Sequence, residues 1–403
     1  MTVKRALHRS TFMLPKRPFS LAFIRHVAVA SSTKSLPSTR LLSSTRQLAE
    51  IANESKSQSS KPTFSSDVTY YNSALSRSRR SMLYVPGSSE KMIKKSQSSH
   101  ADTIIFDLED SVASHKKGSA RETVFLALEA AERPGPELAV RINPPSSDPT
   151  LAQDDLDMVL PSQQLQAIVV PKVESVDDIS VIIDKAKALR RNQQPLSLIL
   201  SVESAASLLR MPTIIETIRQ SLGQDAWTGI STNPNKKSTV AQIVALLFAS
   251  EDYCASTNIV RTRSRKSLLF PRSHMATMAS AYNLQSIDMV CIDYKDVAYL
   301  TEEAQEAKEL GYDGKQAIHP AQVDTIQHTF NPSEEAVERA ARILHLYQHA
   351  SANENKGAYG LKEKNGGMTM IDRPMLLQAE AVMGKARKAG IKVPTTAQLE
   401  QYQ

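Results

Sequence analysis

From residue 80 onward, short apolar runs alternate with stretches in which apolar residues recur every three or four positions. Eight such runs stand out, at 82–86, 103–108, 138–142, 167–171, 196–202, 245–249, 287–292 and 315–319. Between most of them lie segments such as Val176, Ile179, Ile183 and Ala186, whose spacing marks one face of a helix. The apolar runs end in polar clusters, as strands buried on both faces do. Strand and helix in alternation predict a parallel sheet, and eight repeats within about 250 residues match the count and size of a (β/α)8 TIM barrel. A doubly wound open sheet is the structural alternative. From Pro332-Ser333-Glu334-Glu335 the pattern becomes wholly helical, with Val337, Ala340, Ala341 and Leu344 along one face and a further helix from Pro374. The expected organisation is a barrel over 78–331 and a C-terminal helical extension over 332–403.

The chain has 403 residues, 41% of them hydrophobic, enough to bury a sizeable core. Its net charge of +7 raises the question of nucleic acid, but the charge is unevenly placed. Residues 1–49 hold nine Lys or Arg and no acid, and without them 40 basic side chains face 42 acidic ones, a net of −2. This basic stretch, rich in Ser and Thr, reads as a mitochondrial transit peptide, with a flexible linker over 50–77 and the matrix as destination. A nucleic-acid arm is the alternative, without the aromatic–basic interleaving of RNA-binding modules, so no nucleic-acid partner is expected. No uninterrupted apolar run is long enough to span a bilayer, so no membrane partner is expected either. Cys254 and Cys291 suggest no disulfide framework and fit a reducing compartment.

In such a barrel reactive groups sit at the C-terminal ends of the strands, where loops converge on one mouth. The second run ends in Asp107, Glu109 and Asp110, the third in Arg141 and Asn143, and the fourth in Lys172 and Glu174. The fifth gives Glu203, the sixth Glu251 and Asp252, the eighth Lys315 and His319. Charge serving only solvation would fall at both strand ends and on helix faces. Carboxylates as crowded as Asp107, Glu109 and Asp110 need cations, hydrogen bonds or a metal to offset their repulsion. Glu203 and Asp252 follow consecutive strands, about 5 Å apart, which suits one Mg²⁺ held by hard oxygens. Alone, each acid reads as a helix cap or salt-bridge partner; together they favour a metal. No Cys/His spacing argues for zinc.

Several of these segments occur together in one known family, in family order: Ser81-Met-Leu-Tyr-Val-Pro-Gly87, the Asp-Leu-Glu-Asp-Ser-Val stretch from Asp107, Val140-Arg-Ile-Asn143, Val170-Pro-Lys-Val-Glu-Ser175, Val202-Glu-Ser-Ala205, Ser250-Glu-Asp-Tyr253 and Gly314-Lys-Gln-Ala-Ile-His-Pro320. Over about 78–385 the chain resembles the citrate lyase β-subunit-like proteins of the HpcH/HpaI aldolase superfamily. The resemblance implies a barrel of the phosphoenolpyruvate-binding aldolase type. It also implies Mg²⁺-dependent cleavage or formation of a carbon–carbon bond between acetyl-CoA and a 2-oxo acid, with citramalyl-CoA, giving acetyl-CoA and pyruvate, as the expected substrate. Malyl-CoA lyase, malate synthase and malyl-CoA thioesterase activities are alternatives on the same fold, and an inactive scaffold is the non-enzymatic one.

By the same resemblance Glu203 and Asp252 hold the ion and Arg141 faces the thioester oxygen. Asp107, Glu109, Asp110 and Lys172 surround them, although a purely structural role for the acidic trio stays open. Tyr84, Gly87, Lys91 and Lys95 are expected to contact CoA, with Lys94 and the run Arg261, Arg263, Arg265 and Lys266 as further candidates for its phosphates. Asp372 is expected to act in a neighbouring subunit's site, which requires an oligomer, a homotrimer by resemblance; a plain helix N-cap before Pro374 is its other reading. The chain departs from the family in a longer 224–240 segment, in Ala249-Ser250 where a Gly-rich pair is common, and in Phe270 where Tyr is frequent.

Overall fold

The computed structural model describes residues 77–399 apart from 192–193, 234–238, 354–358, 363–366 and 396–397. The predicted transit peptide, nearly all of the linker and residues 234–238 of the 224–240 insertion lie outside the described residues. Eight parallel strands close a barrel in sequence order: β1 (Ser81–Pro86), β2 (Thr103–Asp107), β3 (Glu137–Arg141), β4 (Ala167–Val170), β5 (Leu196–Val202), β6 (Ala241–Phe248), β7 (Gln285–Asp288) and β8 (Gly314–Ala317). The open-sheet alternative is thereby excluded. The helices of the barrel are α1 (Glu90–Ser96), α2 (Lys117–Glu129), α3 (Pro149–Val159), α4 (Asp177–Leu189), α5 (Ala205–Ser221), α6 (Ser250–Thr257), α7 (Leu269–Ala281), α8 (Val297–Glu309) and α9 (Val323–Phe330).

Alternation along the strands sorts side chains into two cores. Met82, Ile105, Ala139, Val169, Ile199, Leu247 and Ile287 fill the barrel interior, while Leu83, Ile104, Val140, Ile168 and Leu198 pack outward under the helices. Closure between β8 and β1 depends on Gly314, where an added Cβ would lie 1.9 Å from the Arg79 carbonyl oxygen. Strand β6 begins four residues before the apolar run predicted for it, because the β5–β6 pairing extends through Leu196 and Ala241 with a register shift between Leu198 and Ile199.

The extension has its own small core. Helix α10 (Glu334–Asn353) packs on α11 (Arg373–Lys388) through Val337, Ala340, Ala341, Leu376, Ala379 and Met383, joined by Ile371 from an antiparallel ribbon, β9 (Tyr359–Lys362) with β10 (Met368–Ile371). On β10 the pleat turns Ile371 inward and leaves Met368 and Met370 exposed.

Candidate active site

The interior parity decides which side chains line the mouth. Ile105 and Ala139 point inward, so Asp107 and Arg141, two residues further on, point inward as well, and Asp107 pairs with Arg141 in the β2–β3 register. The Arg141 guanidinium grips Asp107 with both arms of a fork, Nε to Oδ1 at 2.6 Å and Nη2 to Oδ2 at 2.8 Å. Its Nη1 lies 2.9 Å from Glu109 Oε2 and 3.3 Å from Asp110 Oδ2, and the guanidinium carbon stands 5.0 Å from the ring centre of half-buried Tyr84. Lys172 Nζ donates to Glu109 Oε1 at 2.6 Å. Asp107 also accepts the backbone N–H groups of Glu109 and Ser111, which fixes the acidic loop. The crowding of carboxylates after β2 is thus offset by two cations and by backbone donors.

Burial and charge act oppositely here. Burial tends to raise Asp107, but the Arg141 fork overrides it and holds the carboxyl below its ordinary range. Glu109, 4% exposed, is pushed up to about 7, by burial first and despite Arg141 and Lys172. The ion pair from Arg141 to Glu109 Oε2 is poorly directed, and that oxygen has no hydrogen-bond donor among the described residues.

Glu203 follows β5 directly and keeps the inward parity of Ile199. Its buried carboxyl is raised chiefly by burial, opposed by the Ser201 hydroxyl, and raised again by the negative charge of Asp252, half-buried in the first turn of α6. The Lys172 backbone N–H also faces Glu203, and Lys172 adopts a left-handed φ of 48°, uncommon for a residue with a side chain. Two neighbouring carboxylates, one deeply buried and raised by the other's negative charge, fit a hard divalent cation with open positions. No group of three or more His, Cys, Asp or Glu suited to a metal occurs among the described residues.

Other expected residues fall elsewhere. Gly87 gives its N–H to the Asp107 carbonyl at 2.8 Å, and an added Cβ would meet that oxygen at 2.8 Å, so the glycine permits close passage of the loop after β1 and its N–H is not available to a phosphate. Lys91 and Lys95 lie exposed one turn apart on α1. Lys315 does not reach the mouth: it points outward, fully buried, donating to Asp288 at 2.9 Å and forming an ion pair with Glu303 at 2.8 Å. The basic run after α6 is likewise engaged, Arg263 with Asp296 and Arg265 with Glu302 and Glu306. His319 accepts the Ala321 N–H and stacks on Tyr294. Asp372 caps α11 by accepting the Met375 N–H at 3.0 Å, and no hydrogen bond or ion pair among the described residues links it to the mouth.

Sequence reasoning passed over Lys117. Its buried ammonium donates to the carbonyls of Leu108 and Glu109 and to Asn143 Oδ1, each at 2.7 Å, tying the acidic loop to the end of β3. A lysine opening a helix opposes the macrodipole, and that misplacement is the signal that its charge is used elsewhere.

The HpcH/HpaI aldolase/citrate lyase family matches residues 80–320, the span of the barrel and its rim. The chain belongs to this family. Among relatives of the HpcH/HpaI chain, mitochondrial citramalyl-CoA lyase of Homo sapiens is 34% identical over 306 residues, 75% of this chain and 84% of that protein. Citrate lyase subunit beta of Escherichia coli is 29% identical over 320 residues, 78% of this chain and 96% of the subunit. A crystal structure of the CitE protein from Mycobacterium tuberculosis, in complex with magnesium, acetoacetate and coenzyme A, aligns with a TM-score of 0.55 at 25% identity, covering 78% of this chain and 99% of that one. Membership among these lyases makes the chain an enzyme of the carbon–carbon lyase class.

Proposed function

We propose that the protein is a Mg²⁺-dependent citramalyl-CoA lyase of the mitochondrial matrix, acting as a homotrimer. The observation that carries this is the pairing of buried Glu203 with Asp252 beside the Arg141–Asp107 fork, in a chain similar to a citramalyl-CoA lyase and to a magnesium- and CoA-bound neighbour. Glu203 and Asp252 would hold the ion, which when bound supplies a Lewis acid for the carboxylate and adjacent oxygen of the oxo acid. Arg141, fixed by Asp107 but with guanidinium donors to spare, would face the thioester oxygen. As the carbon–carbon bond breaks, the substrate hydroxyl gives its proton to water and becomes the pyruvate carbonyl, and the bond's electron pair passes into the thioester enolate. Arg141 stabilises the charge on the enolate oxygen. Asp372 of a neighbouring subunit then delivers a proton to the methylene carbon, completing acetyl-CoA. Tyr84 beside Arg141 and the exposed Lys91 and Lys95 on α1 suit the thioester arm and the phosphates of CoA. The basic leader over 1–49 and the mitochondrial relatives support the compartment.

The test follows pyruvate release from citramalyl-CoA with Mg²⁺, with malyl-CoA run in parallel for glyoxylate. Turnover lost on chelation and in Glu203→Ala is the expected result. Turnover of malyl-CoA alone would reassign the substrate, a choice that rests on one methyl group, worth about 1–3 kcal/mol.

A further inference from the structure

Helix α6 carries Asp252 in its first turn but begins without a side-chain cap, because Ala249 at that position offers no oxygen to the free N–H groups. A short uncapped helix is a poor platform for a ligand that must hold its place to within about half an ångström. What steadies it is Arg261, returned across the helix by the left-handed turn at Asn258, where φ is 57°. The Arg261 Nη1 donates to Ser250 Oγ at 3.1 Å and to the Glu251 carboxylate, the two residues before Asp252. Its Nη2 donates to the Val290 carbonyl at 2.8 Å and to Glu303 Oε2 at 3.1 Å. Glu303 is fully buried and also held by Lys315, itself paired with Asp288. Arg261 therefore bolts the uncapped start of α6 to a fully buried part of the barrel wall.

We propose that Arg261 is a positioning residue that sets the Asp252 carboxylate for the cation shared with Glu203. The inference rests on the reading of Glu203 and Asp252 as the metal ligands. Charge and position make opposite predictions for this arginine. Deleting a nearby positive charge would by itself tighten cation binding, whereas losing the clamp loosens a ligand. The fork has donors that one lysine ammonium cannot all replace.

The experiment is calorimetric titration of Mg²⁺ into the full chain and its Arg261→Gln, Arg261→Lys, Arg263→Ala and Glu203→Ala variants, with metal-free melting recorded for each. About tenfold weaker binding is expected for Arg261→Gln, in the range found when groups supporting a metal ligand are removed. A smaller loss is expected for Arg261→Lys, and none for Arg263→Ala, which deletes an equal charge from the same loop. Unchanged or tighter binding in folded Arg261→Gln and Arg261→Lys overturns the proposal; should the glutamine variant not fold, the lysine variant decides alone. Absence of binding by the unaltered chain instead overturns the metal reading itself, and with it this inference.

Discussion

Lys172 joins backbone strain and charge in one residue, and the two can be separated by substitution. Its φ of 48° turns the N–H toward Glu203 while its ammonium holds Glu109. Alanine at this position would lose the ammonium and keep the strain; glycine would lose both. Lys172→Gly should therefore be more stable than Lys172→Ala, by about 1 kcal/mol, measured by urea unfolding of the metal-free protein. Glu109 gives a pH-dependent counterpart. With its carboxyl raised to about 7 in the folded chain and near 4.5 when unfolded, the folded state binds the extra proton between those values. Stability then falls as pH rises through that window and levels off above it. Unfolding measured from pH 5 to 8 should show wild type losing on the order of 2 kcal/mol relative to Glu109→Gln; parallel curves would refute the assignment. The acidic stretch 107–110 tells from sequence that cations, hydrogen bonds or a metal must offset its repulsion. It could not tell which donor each oxygen takes, because the Arg141 fork is set by β2–β3 register and the Lys117 contacts by helix placement, both tertiary facts.

Asp372 raises the question of cap against acid at the scale of an element. The carboxylate ends an orphan N–H of α11, a role that serine performs nearly as well, so Asp372→Ala should cost about 1 kcal/mol of stability and Asp372→Ser little. If the carboxyl also serves the neighbouring site, both variants should lose turnover by at least about 10²-fold, the scale of a lost general acid. Equal activity of Asp372→Ser and wild type in the pyruvate assay would leave it a cap alone. Most elements were legible beforehand, because parallel strands covered on both faces leave continuous apolar runs and amphipathic helices a three-to-four-residue rhythm. The first residues of β6 lie ahead of the apolar run because they pair with β5 across a register shift, which no local pattern encodes. Lys315 reads as a rim residue from its apolar run and neighbouring motif, but strand parity sends it outward, into a buried ionic seam.

For the whole molecule, the proposed sharing of sites between subunits has a consequence that mixing can test. A chain carrying Glu203→Ala and one carrying Asp372→Ser would each be inactive alone. After co-refolding, random closed rings would contain complete sites, with Glu203 from one chain and Asp372 from the next, at about a quarter of the total. Recovery of about that share of the activity is expected, and none would confine each site to a single chain. Met368 and Met370, exposed on the ribbon just before Asp372, would be sheltered in such a ring. The ionic seam between barrel and helices has a different bearing, on descent. Asp288, Lys315, Glu303 and Arg272 are all closed to water, and a lone replacement would strand a charge in the interior at a cost of about 3–5 kcal/mol. These four positions are therefore bound to drift as a block: a descendant that abandons one should have exchanged its fellows for greasy side chains of matching bulk, leaving an inherited signature of β7, β8 and their covering helices that is separate from the barrel's chemistry.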